Sequence, residues 1–338
     1  MKILNVNASK NYQIVINNSF DKLLESIKNY NLIDKVLIVT DSNVEPLYFG
    51  EVESILNKKP TYKFVVEAGE HSKSQENYFD ILNFLAENNF SRKSLIVGLG
   101  GGVVGDLASF VASTYLRGVS YVAIPTSLLS MVDSSVGGKT AINLKSGKNL
   151  VGTFFQPDSV YINLTCLKTL PEREVISGTG EIMKYAFIDE RISTLDIENQ
   201  DYEALVYNSL LIKRDIVEKD EKESGDRMLL NFGHTIGHSL EKLYDYSLSH
   251  GECVIRGMKY SIDLSKKLGF ISQNDYENAL KFLLSSNVSF DTKFTMEDIL
   301  KVVKNDKKAS GDSVNFVFTR GFGKAFVEKI KISEIQNG

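Results

Sequence analysis

S-L-I-V-G-L-G-G-G-V-V-G-D, Ser94 to Asp106, begins as an apolar run and passes through glycines into L-A-S-F-V-A-S, which has helical character. A strand feeding a glycine-rich turn that opens a helix is the unit from which α/β nucleotide-binding domains are built. Gly100, Gly102 and Gly105 satisfy G-x-G-x-x-G. Glycines let backbone N–H groups approach a pyrophosphate, and the helix N-terminus adds partial positive charge. One part of the pattern is missing, because no acidic residue ends the next strand at the usual spacing of about 20 residues. Asp41, at the end of an earlier strand-like run, can serve an adenosine ribose if strand order sets it beside the glycines. The competing interpretation is a glycine turn required only by packing.

Working outward, Lys35 to Thr40, Tyr62 to Glu67, Ser94 to Leu99 and Tyr121 to Thr126 are short runs apolar on both faces, as buried parallel strands are. Val44 to Lys58 and Lys73 to Asn88 separate them with helical periodicity, the second placing Tyr78, Ile81, Leu82 and Leu85 on one face. Strand and helix in alternation predict a mainly parallel sheet with right-handed crossovers. Beyond about residue 170, six segments carry helical periodicity: Glu172 to Ala186, Tyr202 to Lys219, Arg227 to Tyr244, Gly251 to Leu268, Asp275 to Ser285 and Met296 to Asn305. Strand signals nearly vanish there until V-N-F-V-F-T. The expected organisation is an α/β nucleotide-binding domain over residues 1–170 and an all-α domain over residues 171–338, with a cleft between them.

Composition excludes several classes. Of 338 residues, 43% are hydrophobic and 24% charged, and the formal charge of −4 gives no basic field for nucleic acid. No apolar run approaches the roughly 20 residues that span a bilayer, and the N-terminus lacks the features of a secretory signal. Two cysteines, Cys166 and Cys253, make no disulfide framework, so the cytoplasm is the expected compartment. Cys253 reads as a small buried apolar residue rather than a ligand or nucleophile.

Three of the four histidines, His234, His238 and His250, lie in one window, N-F-G-H-T-I-G-H followed closely by S-H-G-E. His234 and His238 are one helical turn apart and share a face, a spacing zinc sites use. A catalytic zinc takes about three protein ligands and keeps one position open. His250 is the evident third histidine, and Glu181 or Glu252 the carboxylate. Spacing alone leaves open which two histidines ligate and which one handles protons. Glu70 and Lys73, near the start of a helix, either touch a nucleotide or cap that helix, and His71 reads as surface. D-S-S-V-G-G-K-T, Asp133 to Thr140, ends like a phosphate-binding loop but has Asp133 where a glycine is needed and no strand immediately before it, so ATP hydrolysis is rejected. Its Lys139, with Lys148 and Asn149 soon after, still suits an anion.

These strings, together with G-K-N-L-V-G, F-Q-P, C-L-K-T-L-P-x-R-E, G-E-I-M-K-Y and L-L-N-F-G-H-T-I-G-H, closely resemble the 3-dehydroquinate synthase family of the shikimate pathway, from about Asp41 to Lys308. The resemblance implies a dinucleotide domain, a helical domain, a homodimer and a divalent metal, zinc or cobalt, held by Glu181, His234 and His250. It implies NAD+ contacts from Asp41, from Ala68, Gly69, Glu70, His71, Ser72 and Lys73, and from Gly102, Val103, Val104, Gly105 and Asp106. Further contacts would come from Thr126, Ser127, Lys139, Lys148, Cys166, Leu167, Lys168 and Thr169. The sugar-phosphate pocket would comprise Asp133, Lys139, Asn149, Lys184, Lys213, Arg227, Asn231 and His238, joined by Lys307 or Lys308 and by Arg117, which would reach in from a partner subunit. Ser127, Thr179, Gly180 and Arg256 depart from the family's commonest residues without removing a group the chemistry needs. The implied reaction converts 3-deoxy-D-arabino-heptulosonate 7-phosphate to 3-dehydroquinate and phosphate, with NAD reduced and reoxidised in each turnover. The neighbouring readings are another sugar-phosphate cyclase, a metal-dependent polyol dehydrogenase of the same architecture, and a catalytically silent binding protein.

Overall fold

The computed structural model describes residues 1–195, 197, 201–306 and 313–336, and the chain divides into two units. The first is Met1–Leu170 together with Lys213–Glu221, and the second is Pro171–Ile212 with Lys222–Gly338.

In the first unit the chain runs β1 (Lys2–Val6), β2 (Tyr12–Asn17), α1 (Leu23–Ser26), β3 (Val36–Asp41), α2 (Gly50–Leu56), β4 (Thr61–Val66), α3 (Gln75–Glu87), β5 (Leu95–Gly100), α4 (Gly102–Thr114), β6 (Ser120–Pro125), β7 (Lys139–Leu144), β8 (Gly147–Phe154) and β9 (Ser159–Asn163). Among the described residues, seven strands form one sheet in the order β1-β2-β9-β6-β5-β3-β4. Only the β1–β2 pair in it is antiparallel. All six residues of β5 are buried, and Ile38, Val39, Ile96 and Val97 are wholly inaccessible. Burying each such side chain stabilises the sheet by about 1.5–3 kcal/mol relative to exposure. On α3, Ile81 and Leu85 face this core, and the Ser74 hydroxyl caps the helix by accepting the Asn77 N–H at 3.2 Å.

Strand order has one consequence for binding. From β3 the chain moves outward to β4, then returns to β5 on the other side of β3. The carboxyl ends of β3 and β5 therefore flank a topological switch point, where open α/β sheets bind ligands. Asp41 closes β3 and the glycine loop follows β5, so the strand order that Asp41 required is present.

The second unit contains α5 (Glu172–Ile188), α6 (Glu190–Ser193), the first part of α7 (Tyr202–Lys219), α8 (His234–Leu243), α9 (His250–Lys267), α10 (Gln273–Leu284), α11 (Met296–Asp306), β10 (Ser313–Thr319), β11 (Ala325–Lys331) and α12 (Ile332–Gln336). The expected helical character is present, with an antiparallel β10–β11 ribbon in addition. Arg227 to Tyr244, expected as one helix, is broken. A 3-10 segment, Asp226–Asn231, precedes α8, and Gly233 between them has φ +78°. A Cβ there would lie 2.8 Å from the Val254 carbonyl oxygen, so the break needs glycine for its backbone angle and for space. Met183, Phe187, Phe232, Val254, Met258 and Ile262 form one apolar core, while Ile236, Leu240, Cys253, Phe316 and Phe318 belong to another.

The last residues of α7 pack with the first unit although they lie far beyond residue 170 in sequence. The Asn7 N–H donates to Glu218 Oε1 at 2.6 Å, and the Ser9 N–H and the Gln156 amide donate to the Glu221 carboxylate at 2.9 and 2.7 Å. No helix among the described residues is long and apolar enough to cross a membrane.

Candidate functional site

Helices α5, α8 and α9 bring three donor atoms together in the second unit. Glu181 Oε1 lies 3.3 Å from His234 Nε2 and 3.0 Å from His250 Nε2. Zinc–ligand bonds of about 2.0–2.1 Å in tetrahedral geometry place ligand atoms roughly 3.3 Å apart. The donor set therefore fits a divalent cation in type and spacing. The pairing of His234 with His238 that spacing allowed, ring centroids 5.1 Å apart, finds no completing carboxylate among the described residues, while His238, Glu241 and His250 form a second group of close donors. Glu252, the alternative carboxylate, is consumed elsewhere. Its side chain accepts the Ser249 N–H at 2.7 Å, and Ser249 accepts the Glu252 N–H in return, a capping box that starts α9.

Close helix approach makes this geometry. Gly251 follows His250, and a Cβ on it would lie 2.2 Å from the Ser177 carbonyl oxygen of α5. Gly180 precedes Glu181, and a Cβ on it would lie 2.7 Å from the Gly251 Cα. The two backbones touch, so the carboxylate of one helix reaches the imidazole of the other without a long side chain between them.

Each imidazole is oriented from behind. His234 donates its Nδ1–H to the Phe232 carbonyl at 3.1 Å, leaving Nε2 toward Glu181. His250 donates its Nδ1–H to Glu241 Oε1 at 2.8 Å. Glu241 is the functional residue that sequence reasoning missed, and its signal was the i, i+4, i+7 spacing of His234, His238 and Glu241 along α8.

Electrostatics agree with a cation site. Burial alone would raise the Glu181 pKa, but the Lys184 ammonium and His234 hold it well below the usual carboxylate range. Burial opposes charge on His250, yet the hydrogen bonds that its ring donates to the Glu181 and Glu241 carboxylates outweigh it and push the ring up to about 10. His238 is pushed down to about 3, first by the protein atoms crowded round it and then by its neighbour His234. The residue is exposed to solvent, and at physiological pH its ring is neutral.

Around these donors, Lys184 is buried, is bonded to Glu181, and lies 4.9 Å from the Tyr185 ring centre. Arg227 is buried in the 3-10 segment, and the Asn231 amide donates to Glu223 at 2.8 Å. Lys307 and Lys308 lie outside the described residues.

The first unit gathers the remaining residues. Asp41 Oδ1 accepts the N–H groups of Asn43 and Val44 at 2.9 and 3.0 Å, which fixes its carboxylate at the strand end. Gly102, Val103 and Val104 supply the first N–H groups of α4, those a helix leaves without internal partners. A Cβ at Gly105 would meet nothing within 4 Å. Packing does not require that glycine, and the open space above it suits a close ligand. Thr126 donates its N–H to the Gly100 carbonyl at 3.0 Å, and the Ser127 hydroxyl lies 2.9 Å from that of Ser130.

Gly69 has φ +130°, Ala68 donates to the Ser42 hydroxyl at 3.1 Å, and Ser72 is buried. His71 is exposed and lies 3.1 Å from Glu67, as its surface reading expected. Lys73 is buried and donates to Asp106 Oδ2 at 2.7 Å and Asn149 Oδ1 at 2.5 Å, while Glu70 accepts from the Asn143 amide at 2.8 Å. Capping of α3 is done by Ser74, not by Glu70 or Lys73.

Lys139 and Lys148, expected in a loop, stand on the antiparallel β7–β8 pair. Lys139 is exposed there, and Asn149 has φ +56°. Lys213, in the part of α7 that joins this unit, pairs with Asp133 Oδ1 at 3.0 Å. Cys166, Leu167, Lys168 and Thr169 form a 3-10 turn in which the Cys166 thiol is buried and pushed up to about 12. Arg117 is exposed, and it and Leu116 hold left-handed backbone angles, φ +69° and +48°.

Models of the 3-dehydroquinate synthase N-terminal and C-terminal regions match residues 63–177 and 178–309. The 3-dehydroquinate synthase of Thermoanaerobacter pseudethanolicus is 43% identical over 332 residues, covering 94% of this chain and 93% of that one. The crystal structure of 2-deoxy-scyllo-inosose synthase complexed with carbaglucose-6-phosphate, NAD+ and Co2+ has the same fold, with a TM-score of 0.89 at 22% identity over 99% of this chain and 98% of that one. So does 2-epi-5-epi-valiolone synthase from Streptomyces hygroscopicus subsp. jinggangensis 5008 with NAD+ and Zn2+ bound, with a TM-score of 0.87 at 24% identity over 99% and 97% of the two chains.

Proposed function

The chain belongs to the 3-dehydroquinate synthase family, and from that premise we propose that it converts 3-deoxy-D-arabino-heptulosonate 7-phosphate to 3-dehydroquinate and phosphate as a homodimer in the cytoplasm. NAD+ and one zinc or cobalt ion serve it as cofactors. The observation that carries this reading is the convergence of Glu181, His234 and His250 on one point. When bound, the cation polarises a substrate hydroxyl and NAD+ takes up and returns a hydride, so the turnover has no net redox change.

The chain's own residues do the rest. Glu181 Oε1, His234 Nε2 and His250 Nε2 hold the cation. Asp41 receives the adenosine ribose, and the N–H groups of Gly102, Val103 and Val104, with the open face at Gly105, receive the pyrophosphate. Ala68 to Lys73, Asp106, Thr126, Ser127, Lys139, Lys148 and Cys166 to Thr169 complete the nucleotide contacts. Lys139, Lys184, Lys213 and Arg227 bind a substrate that carries both a carboxylate and a phosphate, with Asp133, Asn149 and Asn231 orienting it. Arginine suits the bidentate carboxylate and lysine a phosphate. Arg117 adds a further cation from the partner subunit. His238, neutral at physiological pH, can accept a proton at one ring nitrogen while donating from the other.

Phosphate release from the heptulosonate phosphate, with NAD+ far below stoichiometric, tests the reaction. We expect many phosphates per NAD+ and no NADH accumulation. Stoichiometric NADH would instead favour a polyol dehydrogenase, and turnover only of a different sugar phosphate another cyclase. In the same assay, Lys139→Ala should raise KM or lower kcat at least about tenfold, because a charge-assisted hydrogen bond contributes about 1.5–3 kcal/mol. NAD+ should still bind, measured calorimetrically, with a smaller loss of affinity, because Lys139 is one of many nucleotide contacts. Unchanged kinetics would remove Lys139 from the pocket.

A further inference from the structure

Glu241 stands outside the trio of Glu181, His234 and His250, directly behind the His250 ring. It lies on α8 two turns after His234, is largely buried, and accepts the Nδ1–H of His250 at 2.8 Å. The opposite nitrogen of that ring, Nε2, faces Glu181 Oε1 at 3.0 Å. His234 is arranged alike, but its Nδ1–H goes to a neutral carbonyl, that of Phe232. The two imidazoles therefore differ in what stands behind them, a full negative charge for His250 and a backbone dipole for His234.

We propose that Glu241 is a positioning residue of the cation site. Its carboxylate locks the His250 tautomer and ring plane so that Nε2 is the ligating atom, and its charge makes that nitrogen the stronger donor. Metal-bound imidazoles commonly carry such a partner, and its loss costs about ten- to hundredfold in metal affinity. An ordinary surface ion pair does not account for the geometry. Glu241 touches a histidine nine residues on, across the turn between α8 and α9, and that histidine is already engaged on its other nitrogen. Glu241 with His238 and His250 also presents donor atoms within 4.8 Å of one another, the alternative being a second ion sharing His250.

Glu241's role rests on the cation reading of Glu181, His234 and His250, and the experiment separates the two. Zinc affinity of the full-length protein is measured by competition with a chromogenic chelator, alongside zinc content and the visible spectrum of the cobalt-loaded form. For the wild type we expect one zinc per chain, lost in His234→Ala. In Glu241→Gln, which keeps the shape and removes the charge, zinc affinity should fall about ten- to hundredfold and the cobalt bands should shift. Glu241→Asp should recover part of the loss, and NAD+ affinity and the melting of the zinc-free protein should stay near wild type. Wild-type zinc affinity and an unaltered cobalt spectrum in Glu241→Gln would overturn the role of Glu241 alone. Two zinc ions per wild-type chain, one of them lost in Glu241→Gln, would make it a ligand instead. Failure of the wild type to bind zinc, or of His234→Ala to weaken it, would overturn the cation reading and Glu241's role together.

Discussion

His250→Ala should lower phosphate release by at least about a thousandfold and leave the purified protein without zinc. Lewis-acid stabilisation by a bound ion amounts to several kcal/mol, and each 1.36 kcal/mol is about tenfold in rate. The substitution removes one of three donors and leaves Glu181 facing Lys184 and His234. His238→Ala is the matched control. Its ring is 5.9 Å from that of His250, and it is not among the donors that meet at Glu181. Zinc content should survive that change while turnover falls. Full zinc content in His250→Ala, measured by elemental analysis, would dismantle the assignment.

Gly251→Ala should be strongly destabilising and should loosen the cation site as well. Its Cβ would stand 2.2 Å from the Ser177 carbonyl oxygen and 2.6 Å from the Ser177 Cα, both backbone atoms that no rotamer change can move. Overpacking typically costs about 1–3 kcal/mol, and contact with rigid backbone belongs at the upper end. For a unit of this size that corresponds to a fall in Tm on the order of 10 °C. Zinc affinity should fall with it, because separating α5 from α9 moves Glu181 away from His250. A Gly251→Ala protein with wild-type melting and wild-type zinc affinity would show that the two helices do not meet there.

Much of this was legible in the residues themselves. The runs that became β3, β5 and β6 carry their burial in composition, and the glycine loop marks the strand-to-helix transition after β5, whereas the equally apolar run that became β4 lies at the sheet edge with only Val66 buried. Other elements are held by pairing rather than by burial. In β8, Gly147–Phe154, no residue is buried, so its hydrogen bonds to β7 leave no alternating pattern and its lysines read as a loop. β11 is likewise largely accessible. The break at Gly233 depends on how closely α9 approaches, a distance no periodicity encodes. Lys213 is remote in sequence from Asp133, and only the folded chain pairs them. Glu241 resembles any helix-surface glutamate until its histidine partner is located. The resemblance had already given Glu181 over Glu252, and the capping box at Ser249 and Glu252 supplies the physical reason.

The touching backbones of α5 and α9 also limit how the protein can diversify. Where no side chain lies between two helices, none can be exchanged to retune the grip, and random variation there is removed by misfolding before it is tested for chemistry. On the β7–β8 pair that restraint falls on Gly152, where a Cβ would lie 1.8 Å from the Thr140 carbonyl oxygen, and the exposed side chain of Lys139 is outside it. A library aimed at new sugar phosphates should place its diversity at Lys139, Lys148 and Asn149 and leave Gly180 and Gly251 unvaried.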